Sequence, residues 1–355
     1  MPEQTEKNTP DITRRKLIIR TSATLAAISV APSMAFSSSK STSERQKIIQ
    51  KLKDQTGLDI QFIEQAINNA VFDKSVIKRI KTPYESKSYA KYRPLFVHQR
   101  LADKGTAYLK EHQQIFDHCK KKYQIQPQII AAILGMETRY GHYKGKDRVL
   151  DALYTLSTGY PRRANFFRNE LGEFLLLCHE EKRSPTSIFG SYAGAFGTTQ
   201  FIPSSFRGYA VDADKDGYRD VWESPKDIIN SVANYFHRYH WDAERPVAHW
   251  LDDTFDEQSK KLSKSSLVQK MLSDETKTWR KLGELKKHVT LNLPDLWQDD
   301  DKVALIQRTT SLGKQTALVH YNFHVITRWN RSYNYAMAIT ELAHMLGCAN
   351  CEVQS

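Results

Sequence analysis

The sequence predicts a mainly α protein with a smaller β part, an α+β chain, and three observations carry that reading. Apolar residues recur at helical spacing through successive segments from Glu44 to His240. Between Arg245 and Leu312 the pattern changes to charge runs, Pro294 and short alternating pieces such as Val289-Thr-Leu-Asn-Leu and Val303-Ala-Leu-Ile, which read as an inserted, partly β subdomain over 245–312. Helical spacing returns in Val319 to Asn330 and Tyr333 to Leu346, so 313–347 is expected as return helices before a cysteine-containing tail, 348–355. With 355 residues, 40% apolar and 26% charged, the composition is that of a soluble globular protein with ample material for a core.

Residues 1–35 read as an export signal. Thr13-Arg14-Arg15-Lys16-Leu17-Ile18 opens a modestly apolar run ending in Ser33-Met34-Ala35, a small-x-small cleavage pattern, and the adjacent arginines suggest the twin-arginine route. About fifteen residues separate Arg20 from the cleavage pattern, too few to span a bilayer. The serine-rich stretch 36–43 is expected as a polar linker.

Residues 44–126 form the first helical domain. Ile48, Ile49 and Leu52, then Leu58, Ile60, Phe62, Ile63, Ala66 and Ile67, predict two helices broken at Gly57. Tyr84 to Arg93, with Tyr84, Tyr89 and Tyr92 before Pro94, reads as a packed aromatic loop, and Ala102 to Tyr123 as one helix.

The core is expected over 127–244, and it begins with PQIIAAILGMETRYG. Ile129, Ile130, Ile133 and Leu134 recur at helical spacing, and Pro127 suits the first turn. The next position on that stripe is Glu137, a carboxylate on a buried face. Gly141 is expected to stop the helix, which leaves Glu137 in the last turn; burial and the helix's negative end both favour its protonated form, as a general acid requires. The alternative is a surface glutamate paired with Arg139 or Lys144.

Val149 to Leu156 and Phe166 to Cys178 predict two more helices, with Tyr160-Pro161-Arg162-Arg163 between them as either a solvated turn or a pair of donors for a substrate carboxylate. Gly190 to Phe206 matches no phosphate-cradling pattern. Its glycines suit a backbone-lined groove to which Ser191 and Gln200 offer hydrogen bonds and Phe201 a flat apolar face.

The most specific local signal is Asp212-Ala-Asp214-Lys-Asp216-Gly217-Tyr218-Arg-Asp220-Val-Trp-Glu223, which fits the calcium-loop pattern D-x-D-x-D-G-x5-E over 212–223. A single such loop argues for structural Ca2+ and against a paired sensor. Ser224-Pro225-Lys226-Asp227 then caps a helix running to His240. Cys348 and Cys351 can form a local disulfide and Cys119 with Cys178 a longer one, or His344 can join a zinc site. The net charge of +12 favours an anionic partner, but Lys and Arg are dispersed and no nucleic-acid motif is present, so nucleic acid is excluded and an anionic polymer such as peptidoglycan fits.

Four motifs in this order and spacing, GMETRYG, LDALYTLSTGYPRRANFF, GSYAGAFGTTQFIPSSFRGYAVDADKDG and SVANYF, strongly resemble the lytic murein transglycosylase B family, glycoside hydrolase family 103, from about Tyr84 to Ala338. The resemblance implies a lysozyme-like catalytic core with helical packing around it and a small β-containing insertion. It also implies cleavage of the MurNAc-β-1,4-GlcNAc bond without water, leaving a 1,6-anhydro end, by a monomer acting on peptidoglycan glycan strands with no organic cofactor. By position Glu137 matches the family's acid/base, and Tyr92, Arg162, Arg163, Ser191, Gln200, Phe201 and Asn330 match its substrate groove. Trp329 stands where the family usually has a tyrosine, which removes a hydroxyl from the site. The family closes its calcium loop with an aspartate after a W-x-P turn, corresponding to Asp227; this chain has one extra residue there and also Glu223, and either closes the shell. The lipid-attachment cysteine of membrane-bound members is absent, as in the soluble periplasmic branch. One glutamate suffices for this chemistry, whereas hydrolytic glycosidases need two carboxylates, and Asp147 and Asp151 fit a surface helix. A hydrolytic muramidase, a non-catalytic peptidoglycan-binding protein and a calcium-regulated interaction protein are the rival readings.

Overall fold

A computed structural model describes residues 35–81 and 87–353, with side chains from Glu44 on. The expected export signal and Tyr84 lie outside the described residues, Ala35 apart. By its contacts the chain divides into two units, 1–46 and 47–355, and apart from the start of α1 everything below concerns the second.

The first helices follow local signals. Helix α1 (Ala35–Thr56) and α2 (Ile60–Asn68) are separated at Gly57, whose φ is +69°. Residues 36–43, expected as a linker, are the start of α1; no glycine or proline interrupts 36–56, and serine's weak helix preference does not by itself end a helix. Asp59 and Asp73 cap α2 and α3 (Lys74–Ile80) by accepting from backbone N–H groups. The stretch expected as an aromatic loop contains a single turn, α4 (Tyr89–Tyr92), with both tyrosines buried. The one helix expected over 102–123 is two, α5 (Gln99–Glu111) and α6 (Gln113–Tyr123). The break at His112 has no local breaker; its ring is set edge-on 4.5 Å from Tyr108, so packing makes the break.

Helix α7 (Pro127–Thr138) is the centre of the core, packed by α5, α6, α11 (Pro225–Arg238) and α16 (Tyr333–Met345). Every residue from Ile129 to Met136 is buried, so α7 has no solvent face and its apolar residues run all round it. Helices α8 (Val149–Gly159), α9 (Ala164–Glu180) and α10 (Pro203–Tyr209) surround the site loops, and β1 (Asp147–Arg148) pairs with β2 (Phe189–Gly190).

The β part is a four-stranded antiparallel sheet in the order β3-β6-β5-β4, from β3 (Ala248–Trp250), β4 (Arg280–Lys281), β5 (Lys302–Thr310) and β6 (Gly313–His320). Residues 313–320, expected among the return helices, are therefore a strand that turns at Gly313 (φ +105°) and pairs with β5 from Thr310 to Val303. Both faces of the hairpin are covered. Ala304, Ile306, Ala317 and Val319 enter the main core, while Val303, Leu305 and Leu318 pack with Phe255, Met271 and Leu285 from α12 (Asp253–Lys261), α13 (Leu267–Asp274) and α14 (Leu282–Leu285). That double burial accounts for the continuous run Val303 to Ile306. Helix α15 (Tyr321–Trp329) leads into α16. Buried Glu341 of α16 accepts from Tyr89 Oη at 2.6 Å, Arg93 Nε at 2.5 Å and Trp250 Nε1 at 3.3 Å, tying α4 and β3 to that helix.

Cys348 and Cys351 form a disulfide, which removes the zinc reading. Cys119 and Cys178 are free and buried, contrary to the longer bridge: α6 packs on α5, α7 and α11, whereas α9 packs on α8 and α10. Among the described residues no helix is long and apolar enough to cross a membrane.

Candidate active site

Glu137 is placed by the way α7 ends. Arg139, Tyr140 and Gly141 take successive left-handed conformations, with φ of +50°, +60° and +87°, so the helix stops three residues before the expected glycine. Arg139 N–H donates to Gly135 O at 3.0 Å and Tyr140 N–H to Leu134 O at 3.1 Å. The Tyr140 ring folds back into a notch formed by Gly105 and Gly135, where a Cβ would fall 2.4 and 2.6 Å from its hydroxyl oxygen, and stacks on Tyr108 at 5.1 Å. Thr138 Oγ1 donates to Thr198 O at 3.1 Å and fastens the end of α7 to the glycine-rich loop. Glu137 is thus half-buried at the open end of a wholly buried helix. Lys144, one of the partners offered to a surface glutamate, is bonded to Glu223.

Two donors meet one oxygen of Glu137. Tyr335 Oη donates to Oε1 at 2.7 Å and Trp329 Nε1 to the same atom at 2.9 Å. Trp329 closes α15 and Tyr335 lies in the first turn of α16, which Ser332 caps by accepting from Tyr335 N–H at 3.2 Å. The indole is held by Phe201, Tyr235 and Phe236, with centroids 5.0, 4.8 and 5.9 Å away. Where the resemblance implies a tyrosine hydroxyl, Trp329 supplies an N–H donor to the carboxylate. Tyr335 was not legible as a site residue: in the sequence it reads as one more apolar position of a core helix. Its ionisation is pushed well above the ordinary tyrosine value by burial first, then by the charge of Glu137 and their hydrogen bond, and further by Tyr92 and Tyr235.

The other expected groove residues divide. Phe201 is 3% and Tyr92 2% exposed, so these rings support the site from behind rather than presenting open faces. Ser191 Oγ accepts from Ala193 and Ala195 N–H at 3.3 and 3.1 Å and shapes the loop. Gln200, at φ +51°, donates its amide to Gly197 O and Lys144 O at 2.9 and 3.1 Å, bracing the loop against the segment after Glu137. Asn330 follows Trp329 half-buried, its carbonyl accepting from Ser332 N–H at 2.7 Å. Arg162 and Arg163 stand exposed on the turn before α9, with the Arg163 guanidinium 4.2 Å over the Phe166 ring.

The acidic loop places its two candidate closing carboxylates differently. Asp212, Asp214 and Asp227 bring oxygens within 4.8 Å of one another. Asp212 also accepts from Lys215, Asp216 and Gly217 N–H, Asp216 from Tyr218 N–H, and Asp214 from Ser224 Oγ, which holds the loop in its turn. Asp227 is fully buried and accepts from Ala213 and Asp220 N–H, both at 2.7 Å. Burial, with Asp214 and Asp212 alongside, raises its pKa above the usual aspartate value. Glu223, the consensus closing residue, has a side chain 78% exposed and bonded to Lys144 Nζ at 2.6 Å, so it is not part of the cluster. A buried carboxylate facing two others is an all-oxygen donor set whose mutual repulsion a hard divalent cation relieves, and calcium fits it.

The comparisons with known proteins agree with this geometry. A family model described as the transglycosylase SLT domain matches residues 40–344. The chain is 30% identical over 317 residues to the membrane-bound lytic murein transglycosylase B of Escherichia coli (strain K12), covering 86% of this chain and 83% of that protein. Among solved structures it is similar to the Escherichia coli lytic transglycosylase SLT35 in complex with calcium, at 32% identity and a TM-score of 0.74, over 87% of this chain and 94% of that one. It is also similar to SltB3 from Pseudomonas aeruginosa in complex with NAG-anhNAM-pentapeptide, at 28% identity and a TM-score of 0.73, over 86% and 79%. With its match running through nearly the whole of the lysozyme-like fold, the chain belongs to the transglycosylase SLT domain family, the lytic murein transglycosylases, lyases that act on peptidoglycan.

Proposed function

We propose that Glu137 is the single acid and base with which this lytic transglycosylase cleaves the MurNAc-β-1,4-GlcNAc bond and leaves a 1,6-anhydro-MurNAc end. The observation that carries this is the pair of donors on Oε1. An indole N–H can only donate, so Oε1 is held as an acceptor and the catalytic proton is carried on Oε2. Protonated there, Glu137 gives its proton to the glycosidic oxygen; as the carboxylate it takes one from the C6 hydroxyl, which attacks the anomeric carbon within the same sugar. The nearby aspartates support the route without water. Asp147 is engaged by both Arg79 Nη atoms at 2.8 and 2.7 Å, and Asp151 by Arg148 at 2.9 Å and Val71 N–H at 2.8 Å, so both have structural duties in place of water activation.

Asp212, Asp214 and Asp227 would hold calcium, with Asp216 and Tyr218 supplying the intermediate loop positions; the ion would brace the loop whose other end carries Gln200 and Phe201. Ser191, Gln200, Asn330, Arg162 and Arg163 form the groove for a peptide-bearing glycan strand, with Tyr92, Phe201 and Trp329 as its aromatic backing. The paired arginines Arg14 and Arg15 would carry the chain to the periplasm by the twin-arginine route, where it would act as a monomer. Retention of the precursor when Arg14 and Arg15 are both changed to lysine tests the export route. Mass spectrometry of muropeptides released from purified cell wall tests the chemistry: anhydro ends, lighter by one water, are expected, and reducing ends would make the enzyme a hydrolase.

A further inference from the structure

We propose that a basic cavity at the start of α16 is a second recognition site, one that takes a carboxylate of the peptide stem carried by the glycan strand. The proposal rests on the peptide-bearing glycan reading above. The cavity has a volume of about 470 Å³ and is lined by Lys87, Arg308, Arg331, Ser332, Tyr333 and Asn334, among others.

Its position follows from one hydrogen bond. Tyr335 at the N-terminal end of α16 reaches Glu137 at the C-terminal end of α7, so the two packed helices run antiparallel, and the cavity is lined in part by the residues that start α16, the end that meets the catalytic carboxylate. Asn334, on its wall, is one residue from Tyr335, a Cα step of about 3.8 Å. A few extended residues, at about 3.3–3.6 Å each, carry a stem peptide from a sugar in the groove into this space.

Its charge selects the ligand. Arg308 is occupied: it pairs with Glu275 at 3.2 Å and lies 4.6 Å over the Tyr333 ring, so it forms a fixed wall. Lys87 and Arg331 are exposed, and neither has an ion pair among the described residues. Asn334 turns its amide to Lys87 O at 2.8 Å and fastens the Lys87 segment to α16. The result is a polar recess with two open cations beside a fixed one, in a substrate whose glycan is neutral at C6 and whose peptide carries the carboxylates. Arg331 is the better partner, because its guanidinium matches a carboxylate with two parallel donors.

The test compares kcat/KM on glycan strands whose peptide carboxylates are free with that on strands whose peptide carboxylates are amidated. The parent is expected to prefer the free acid by about tenfold, the scale of one charge-assisted hydrogen bond. Arg331→Ala combined with Lys87→Ala should bring that ratio close to one, and Arg331→Lys should keep most of it. A ratio of one in the parent overturns the proposal, as does an unchanged ratio in the double variant, which would assign the carboxylate to Arg162 and Arg163. A variant that merely folds less well loses activity on both strands and leaves the ratio as it was, which counts against the site. The form of the product, anhydro or reducing, is read in the same reactions, so failure of the transglycosylase chemistry is seen separately.

Discussion

Trp329 Nε1 lies 2.9 Å from Glu137 Oε1, and this one contact sets on the carboxylate a group that can only donate. Phe keeps an aromatic ring among Phe201, Tyr235 and Phe236 but removes the N–H together with the five-membered ring that carries it. Trp329→Phe should lower kcat by about tenfold, since a hydrogen bond to a charged group contributes roughly 1.5–3 kcal/mol, while KM changes little and the smaller ring lowers the thermal midpoint modestly. Unchanged turnover would make the indole a packing residue only.

Tyr335→Phe should also lower kcat, but no alkaline limb of the parent's pH–rate profile below pH 9 should be lost with it. Burial and the charge of Glu137 both disfavour the phenolate, so the folded hydroxyl ionises above the ordinary value of 10. Below about pH 10 it is protonated in folded and unfolded chains alike and its donation is intact; above that the unfolded chain ionises first, and stability falls as pH rises further. An alkaline limb below pH 9 that disappeared in Tyr335→Phe would contradict the assignment.

Glu137→Gln keeps an acceptor oxygen for both donors but cannot cycle a proton. Turnover of murein should fall by at least about a hundredfold with glycan binding retained. Near-normal turnover in this variant would remove Glu137 from the mechanism.

What the sequence made legible were features written at short range. The stripe from Ile129 to Glu137 and the spacing of Asp212, Asp214 and Asp216 needed only a helical period and a loop consensus. Features made by packing were not legible. His112 breaks a helix with no breaker present, and β6 looked helical because strands covered on both faces lose their alternation. Tyr335 reaches Glu137 across 198 positions, and nothing in its own helix separates it from a core residue. The end of α7 was misplaced for a related reason: Tyr140 supports a left-handed run through Arg139 by filling the Gly105 and Gly135 notch, where local rules look for glycine alone.

The two candidate closing carboxylates differ in what the fold has done with them. Ser224 caps α11, so Asp227 falls in the helix's first turn, directed into the cluster with its oxygens tied to Ala213 and Asp220; the turn before it sends Glu223 outward to Lys144. Calcium should therefore raise the thermal midpoint of the parent, by a free energy of about 2.7 kcal/mol at a hundred times Kd, because it binds the folded chain alone. Asp227→Asn should abolish that calcium-dependent rise, whereas Glu223→Gln should keep it in full, and calorimetric scans with chelator and with added calcium read both. If Glu223→Gln lost the rise and Asp227→Asn kept it, the loop would close at its twelfth position after all. If the parent showed no rise, the three converging aspartates would be held by backbone N–H groups and the Ser224 hydroxyl alone, and Asp227 would be a capping residue of the loop.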